Sequence, residues 1–144
     1  MIANQSAPNA PVVPVLVYDD VAKMIAWLCG AFGFSERLRA PGSGVISHAQ
    51  LTAAGGDIMI GRQGGPFKTP TPDQTSQYVL ISVEDVEGHF AHAKAFGADI
   101  ISPPQDMPFG VRHYTARDPG GHWWTFSQNI ADVAPNTWGA VLKR

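Results

Sequence analysis

The sequence predicts an α+β fold in which two βαβββ units share one core. Three observations carry the prediction. The stretch VYDDVAKMIAWLCGAFGF, Val17 to Phe34, returns as VEDVEGHFAHAKAFGA, Val83 to Ala98, with an offset of 97 − 33 = 64 at the glycines and 85 − 20 = 65 at the aspartates. AAGGDIMIGR, from Ala53, recurs as DPGGHWWTFS, from Asp118, with 120 − 55 = 65. A repeat of about sixty-five residues in two copies is too long for a solenoid unit and too few for an array, so it has the length of a half-domain.

The elements follow in order. Residues Met1 to Ala10 are polar and contain proline, which predicts a loose arm. Pro11 to Tyr18 is rich in β-branched residues, and Pro14 places it at a sheet edge or a strand start. Asp19 or Asp20 can cap the next helix, because a carboxylate accepts the orphan amide protons of the first turn. Val21, Met24, Ile25, Leu28 and Phe32 then recur at helical spacing, and Gly33 stops the helix. Strands are expected at Glu36–Ala40, Val45–Ala53 and Asp57–Arg62, with turns at Pro41-Gly42 and Gly55-Gly56. This first module covers about 11–62. A linking loop, 63–76, is long enough to have a function or to move.

The second module, about 77–128, repeats the order: a strand at Gln77–Val83, a helix capped by Asp85 and ended by Gly97, then strands at Ala98–Ser102, Val111–Arg117 and His122–Gln128. PPQDMPFG, from Pro103, reads as a second long loop. The tail, 129–144, reads as a short helix or an arm.

At 144 residues and 15.4 kDa, with 44% hydrophobic residues, one domain with a real core is expected. Charged residues make up only 15%, below the usual quarter, which points to a covered apolar face and a homodimer. A net charge of −2 and scattered basic residues argue against nucleic acid as a partner. The single cysteine, Cys29, sits in the helical pattern as a core residue and excludes an intramolecular disulfide. No apolar run approaches the ~20 residues that span a bilayer, and the first residues lack the basic and apolar regions of a signal peptide. A soluble cytoplasmic protein, with no membrane partner, is the expectation.

Three segments, LVYDDVAKMIAWLCGAFGF, ISVEDVEGHFAHAKAFGADI and above all FGVRHYTARDPGGHWWTF, resemble the vicinal oxygen chelate superfamily, which includes glyoxalase I, bleomycin-resistance proteins and extradiol dioxygenases. The resemblance runs from Val12 to Gln128. It implies that the sheets of the two modules join into a curved, half-open mixed β-barrel around a cavity, of the glyoxalase/bleomycin-resistance kind. It also implies where a metal would be held: about seven residues before each capping aspartate, and four after the second glycine of each hairpin. Those positions are Val13 and Tyr78 (20 − 7 and 85 − 7), and Ile60 and Thr125 (56 + 4 and 121 + 4). Valine and isoleucine have no lone pair, and neutral tyrosine and threonine are poor donors to a divalent ion. The expectation is therefore no metal and no cofactor.

Period-two alternation then assigns the cavity lining. Val13, Val15, Ile58, Ile60, Tyr78, Leu80, Trp123 and Thr125 would face inward. His48 with Gln50, and His113 with Thr115, stand 65 residues apart on equivalent strands, and the resemblance places them on the cavity face. Related fosfomycin-resistance transferases use the position of Thr115. The other reading makes each imidazole a satisfied polar group at a strand end. His89 and His92 have zinc-compatible spacing but no carboxylate partner, which favours a solvated helix face. His122 is expected to bond within its hairpin. Phe67, Met107 and Phe109 could form a lid, and Arg62 and Arg117 an anion-binding rim.

The lining describes a mostly apolar pocket with sparse directional polar groups, the make-up of a small-molecule site, and Trp123 offers a stacking face. The expected function is metal-independent binding of an apolar or aromatic small molecule. The alternatives are an enzyme using His48, His113 or Tyr78 for acid–base work, and a metal-dependent lyase, dioxygenase or transferase.

Overall fold

The computed structural model describes residues 2–143. Module 1 comprises β1 (Val15–Tyr18), α1 (Val21–Phe32), β2 (Ser35–Ala40), β3 (His48–Ala53) and β4 (Gly56–Arg62). Module 2 comprises β5 (Tyr78–Ser82), α2 (Val86–Phe96), β6 (Asp99–Met107), β7 (Val111–Arg117) and β8 (Trp123–Asn129), and a short 3₁₀ turn follows at Pro135–Trp138. The sheets have matching orders, β1-β4-β3-β2 and β5-β8-β7-β6, with the first pair parallel in each and the rest antiparallel. This is the α+β, twofold βαβββ architecture that the repeat predicts.

The caps explain why the helices recur. Asp20 accepts from the Lys23 amide and Asp85 from the Gly88 amide, each satisfying an orphan donor of the first turn. Gly33 and Gly97 end the helices at φ 74° and 108°, where a side chain would be strained.

Three strand boundaries differ from expectation by more than one residue. β1 begins at Val15 and β3 at His48, later than Pro11 and Val45. β6 continues to Met107 through residues expected to form a loop. It is an edge strand with register shifts between Ile100 and Gln105, and edges and bulges are where proline is tolerated.

Each sheet has a helix side and an open side. Leu16, Tyr18, Ala49, Leu51, Ile58 and Ile60 are buried on the helix side of module 1, as are Tyr114, Ala116, Trp124 and Phe126 in module 2. The two helix sides merge into one core: Phe32 packs on Phe126 and Phe34 on Trp124, with ring centroids 4.8 and 5.4 Å apart. Gly30 permits the helices to approach, since a Cβ there would lie 2.5 Å from the Phe96 ring.

The pairing corrects the repeat by one residue. Gln50 lies opposite Met59 and Thr115 opposite Thr125, so the third strands are offset by 115 − 50 = 65 but the fourth strands by 125 − 59 = 66. The module 2 hairpin is one residue longer. Because strand side chains alternate faces, that residue inverts the facing expected for β4. Ile58 and Ile60, expected in the cavity, face the helix side and are 2% and 0% exposed. The position equivalent to Thr125 is Met59.

Candidate functional site

The Asp-Pro-Gly-Gly turn joins the modules. Asp118 is buried, and its Oδ1 accepts from the Gly120 and His122 amides at 2.9 and 3.1 Å. Its Oδ2 accepts from the Tyr18 hydroxyl at 2.5 Å and from the Trp124 indole at 2.9 Å. Burial and the Asp118 carboxylate hold the Tyr18 phenol well above its ordinary pKa, so it stays a donor. The His122 ring donates from Nε2 to the Val17 carbonyl at 2.8 Å, so it reaches β1 as well as its own hairpin.

This clasp orients β8. Trp124 is driven inward, and Trp123 is turned to the open face. There Tyr78, Leu80, Trp123 and Thr125 meet His113, Thr115, Ile101, Ser102 and Phe109 around a cavity of ≈340 Å³. Tyr78 and Leu80 are 62% and 61% exposed, unusual for large apolar groups in a strand. The Thr115 and Thr125 hydroxyls are 2.8 Å apart and hydrogen-bonded to each other. Phe109 approaches His113 edge-on and packs on Trp138 from the tail, with centroids 5.2 Å apart. Thus six sequence-predicted residues, Tyr78, Leu80, His113, Thr115, Trp123 and Thr125, share one cavity.

The module 1 residues do not join it. His48 is exposed at the start of β3, 3.3 Å from the Ser47 hydroxyl, and lies outside the cavity that His113 lines. Gln50 is on the open face but only 3% exposed, because the N-terminal arm covers it. Ile58 and Ile60 belong to the core.

Of the helical histidines, His92 is exposed as expected and His89 is not. His92 donates from Nε2 to the Gly30 carbonyl at 2.7 Å, and His89 from Nε2 to the Phe32 carbonyl at 3.0 Å. The His89 Nδ1 therefore accepts from the Tyr114 hydroxyl. Burial lowers the His89 pKa and raises that of Tyr114. Both imidazoles tie the two helices together; His89 is half-buried in doing so, whereas His92 stays exposed on the helix surface.

A larger cavity, ≈570 Å³, lies where the linking loop folds over β1. Its walls include Val15, Val17, the Pro66–Thr71 segment, Gln77 and His122. Gln77 faces this cavity and Tyr78 the module 2 cavity, so the start of β5 separates them. Phe67 lines this cavity beside β1 and not the module 2 site. Met107 lies in β6. Arg117 is paired with Asp99 at 2.6 Å, which removes it from an anion-binding rim. The expected rim residue Arg62 lines a separate groove with Asp19 and Asp20.

In the corrected register, the four ligand positions that the resemblance implies are Val13, Met59, Tyr78 and Thr125. Valine offers nothing, a thioether is a soft donor, and the Thr125 hydroxyl is engaged by Thr115. This set does not fit a divalent ion. Among the described residues, no cluster of three or more His, Cys, Asp or Glu could hold a metal elsewhere. No helix among them is long and apolar enough to cross a membrane.

The fold has many solved counterparts. TioX from Micromonospora sp. ML1 is 37% identical, with a TM-score of 0.69 over 87% of this chain and 100% of that one. The fosfomycin resistance protein FosX from Listeria monocytogenes is 18% identical, with a TM-score of 0.63 over 86% and 96%, and shares the fold. An uncharacterised protein of Mycobacterium bovis is 33% identical across 83% of this chain and 84% of its own length. The profile of the Glyoxalase/Bleomycin resistance protein/Dioxygenase superfamily matches residues 11–126. With this match across both modules, the chain belongs to the glyoxalase/bleomycin resistance protein/dioxygenase superfamily.

Proposed function

We propose that this chain is a metal-independent binding protein for an apolar or aromatic small molecule, seated on the open face of module 2, and that it works as a cytoplasmic homodimer. The observation that carries this reading is the convergence of Tyr78, Leu80 and Trp123 on a hydrogen-bonded threonine pair in one cavity. Its ≈340 Å³ lies within the ~300–1,000 Å³ of small-molecule clefts. Exposed aromatic and aliphatic groups supply apolar area, and His113 and the threonines supply direction. The exposure of Tyr78, Leu80, Ile101, Phe109 and Trp138 supports a partner surface next to the site, since apolar patches of this kind mark interfaces.

A second reading is favoured by one feature. His113 and Tyr78, an imidazole and a phenol, line the same cavity and could move a proton on a bound substrate. His48 is not part of that arrangement.

The test uses 2-naphthol as an aromatic probe. It should quench tryptophan fluorescence, and Trp123→Ala should weaken its binding by about 0.5–1.5 kcal/mol beyond the lost area, the worth of one stacked pair. Undiminished binding by folded Trp123→Ala protein would remove the site from module 2. Sedimentation equilibrium should report close to twice 15.4 kDa, and elemental analysis should find no stoichiometric divalent metal.

A further inference from the structure

On the open face of module 1, Arg37 stands in the bulge between Glu36 and Leu38, and its guanidinium donates to the Gln50 Oε1. That bond occupies the amide oxygen on the Arg37 side and turns its Nε2 outward. Since a guanidinium has donors only, the pair meets what lies above it through N–H groups. What lies above it is the chain's own arm. Arg37 donates to the Gln5 carbonyl and Gln50 to the Ser6 carbonyl, both at 2.8 Å. The arm is shaped by a turn in which the Ser6 amide bonds the Asn4 side chain and the Ala7 amide the Asn4 carbonyl. Its far end is pinned where the Ala10 amide donates to Asp57 Oδ2 at 2.6 Å.

We propose that Arg37 and Gln50 form a second binding site, specific for a carboxylate or a pair of carbonyl oxygens, and that the N-terminal arm occupies it as a built-in competitor. Two consecutive carbonyls already satisfy the donors, so a ligand with two acceptor oxygens at similar spacing can replace them. A carboxylate adds charge to the contact with Arg37, and charge-assisted bonds are about twice as strong as neutral ones. The arm is tethered, so it competes at high effective concentration, and the site opens only to a ligand that outbids it or when the arm is released. The site is separate from the module 2 cavity and does not depend on the reading of that cavity.

The experiment is done in the Trp123→Ala background, which disables the module 2 face, with 2-naphthoate as probe. Ala10→Pro removes the amide that pins the arm without touching the sheet, and Asp57→Ala removes the same bond from the other side. Each should raise naphthoate affinity at least fivefold, while the Gln5–Ala7 amide resonances move to random-coil positions. Adding Arg37→Ala should abolish the gain, and the cation 2-naphthylmethylammonium should show none. Unchanged naphthoate affinity in both Ala10→Pro and Asp57→Ala would overturn the proposal, as would a gain that survives Arg37→Ala.

Discussion

At matched positions, the open faces of the two modules carry opposite chemistry. Arg37, Gln50 and Asp57 of module 1 stand where module 2 has Ile101, Thr115 and Trp123 (101 − 37 = 64, 115 − 50 = 65, 123 − 57 = 66). The first set is polar and covered by the arm; the second is largely apolar and open. The helix sides diverge far less. Ile60 matches Phe126, Ala49 matches Tyr114 and Leu51 matches Ala116, all of them buried and none charged. The helix side must exclude water in both modules, and a charge there would be buried unpaired. The open side carries no such requirement. The repeated unit has therefore kept its backbone, bulge and core while its exposed face separated into a sealed polar half and an open aromatic half.

The sharpest way to break this comparison is across the adjacent tryptophans of β8. Trp124 is fully buried and bonded to Asp118, so Trp124→Ala should cost about 3–5 kcal/mol in urea unfolding. Trp123→Ala should cost far less stability and act on ligand binding. If the two effects exchange places, the facing of β8 is inverted.

The next largest effect tests the one-residue correction in β4. Ile60→Ala should cost about 2–5 kcal/mol, as for other buried large-to-small changes. Met59→Ala, on the open face and half-buried, should cost well under half as much. Equal losses would mean that the shorter hairpin does not turn Met59 outward.

The smallest effect concerns the helix junction. Burial holds the folded-state pKa of His89 below its ordinary 6.5, so the unfolded chain binds the proton more readily. Between the folded pKa and 6.5, stability therefore rises with pH. It is fully present above 6.5 and is lost as pH falls toward the folded pKa, with a slope of at most about 1.4 kcal/mol per pH unit for one proton. Protonation also makes Nδ1 a donor, which reverses its bond with the Tyr114 hydroxyl from accepted to donated. Urea midpoints measured from pH 7.5 to 5 should follow this trend, and His89→Gln should flatten it. An unchanged slope in the variant would assign the pH dependence to another group.

Much of this protein was legible without coordinates. The repeated caps at Asp20 and Asp85, the helix stops at Gly33 and Gly97, and the recurring hairpins are local features, and local backbone chemistry settles them. The resemblance carried by the DPGGHWWTF hairpin marked the family, and alternation on β5, β7 and β8 placed six residues on one face. Three things were decided only in three dimensions. The register of β4 against β8 depends on hairpin length, and one extra residue in the second turn inverts a strand face that a constant offset of 65 could not anticipate. His89 looks solvated on its own helix, because its acceptor, the Phe32 carbonyl, lies 57 residues away in sequence. Gln50 looks like a cavity residue until the arm folds over it through bonds made largely by backbone atoms, which carry no signature in the side-chain sequence. Periodicity reports which side of an element a residue takes; only the packing of distant segments reports what covers that side.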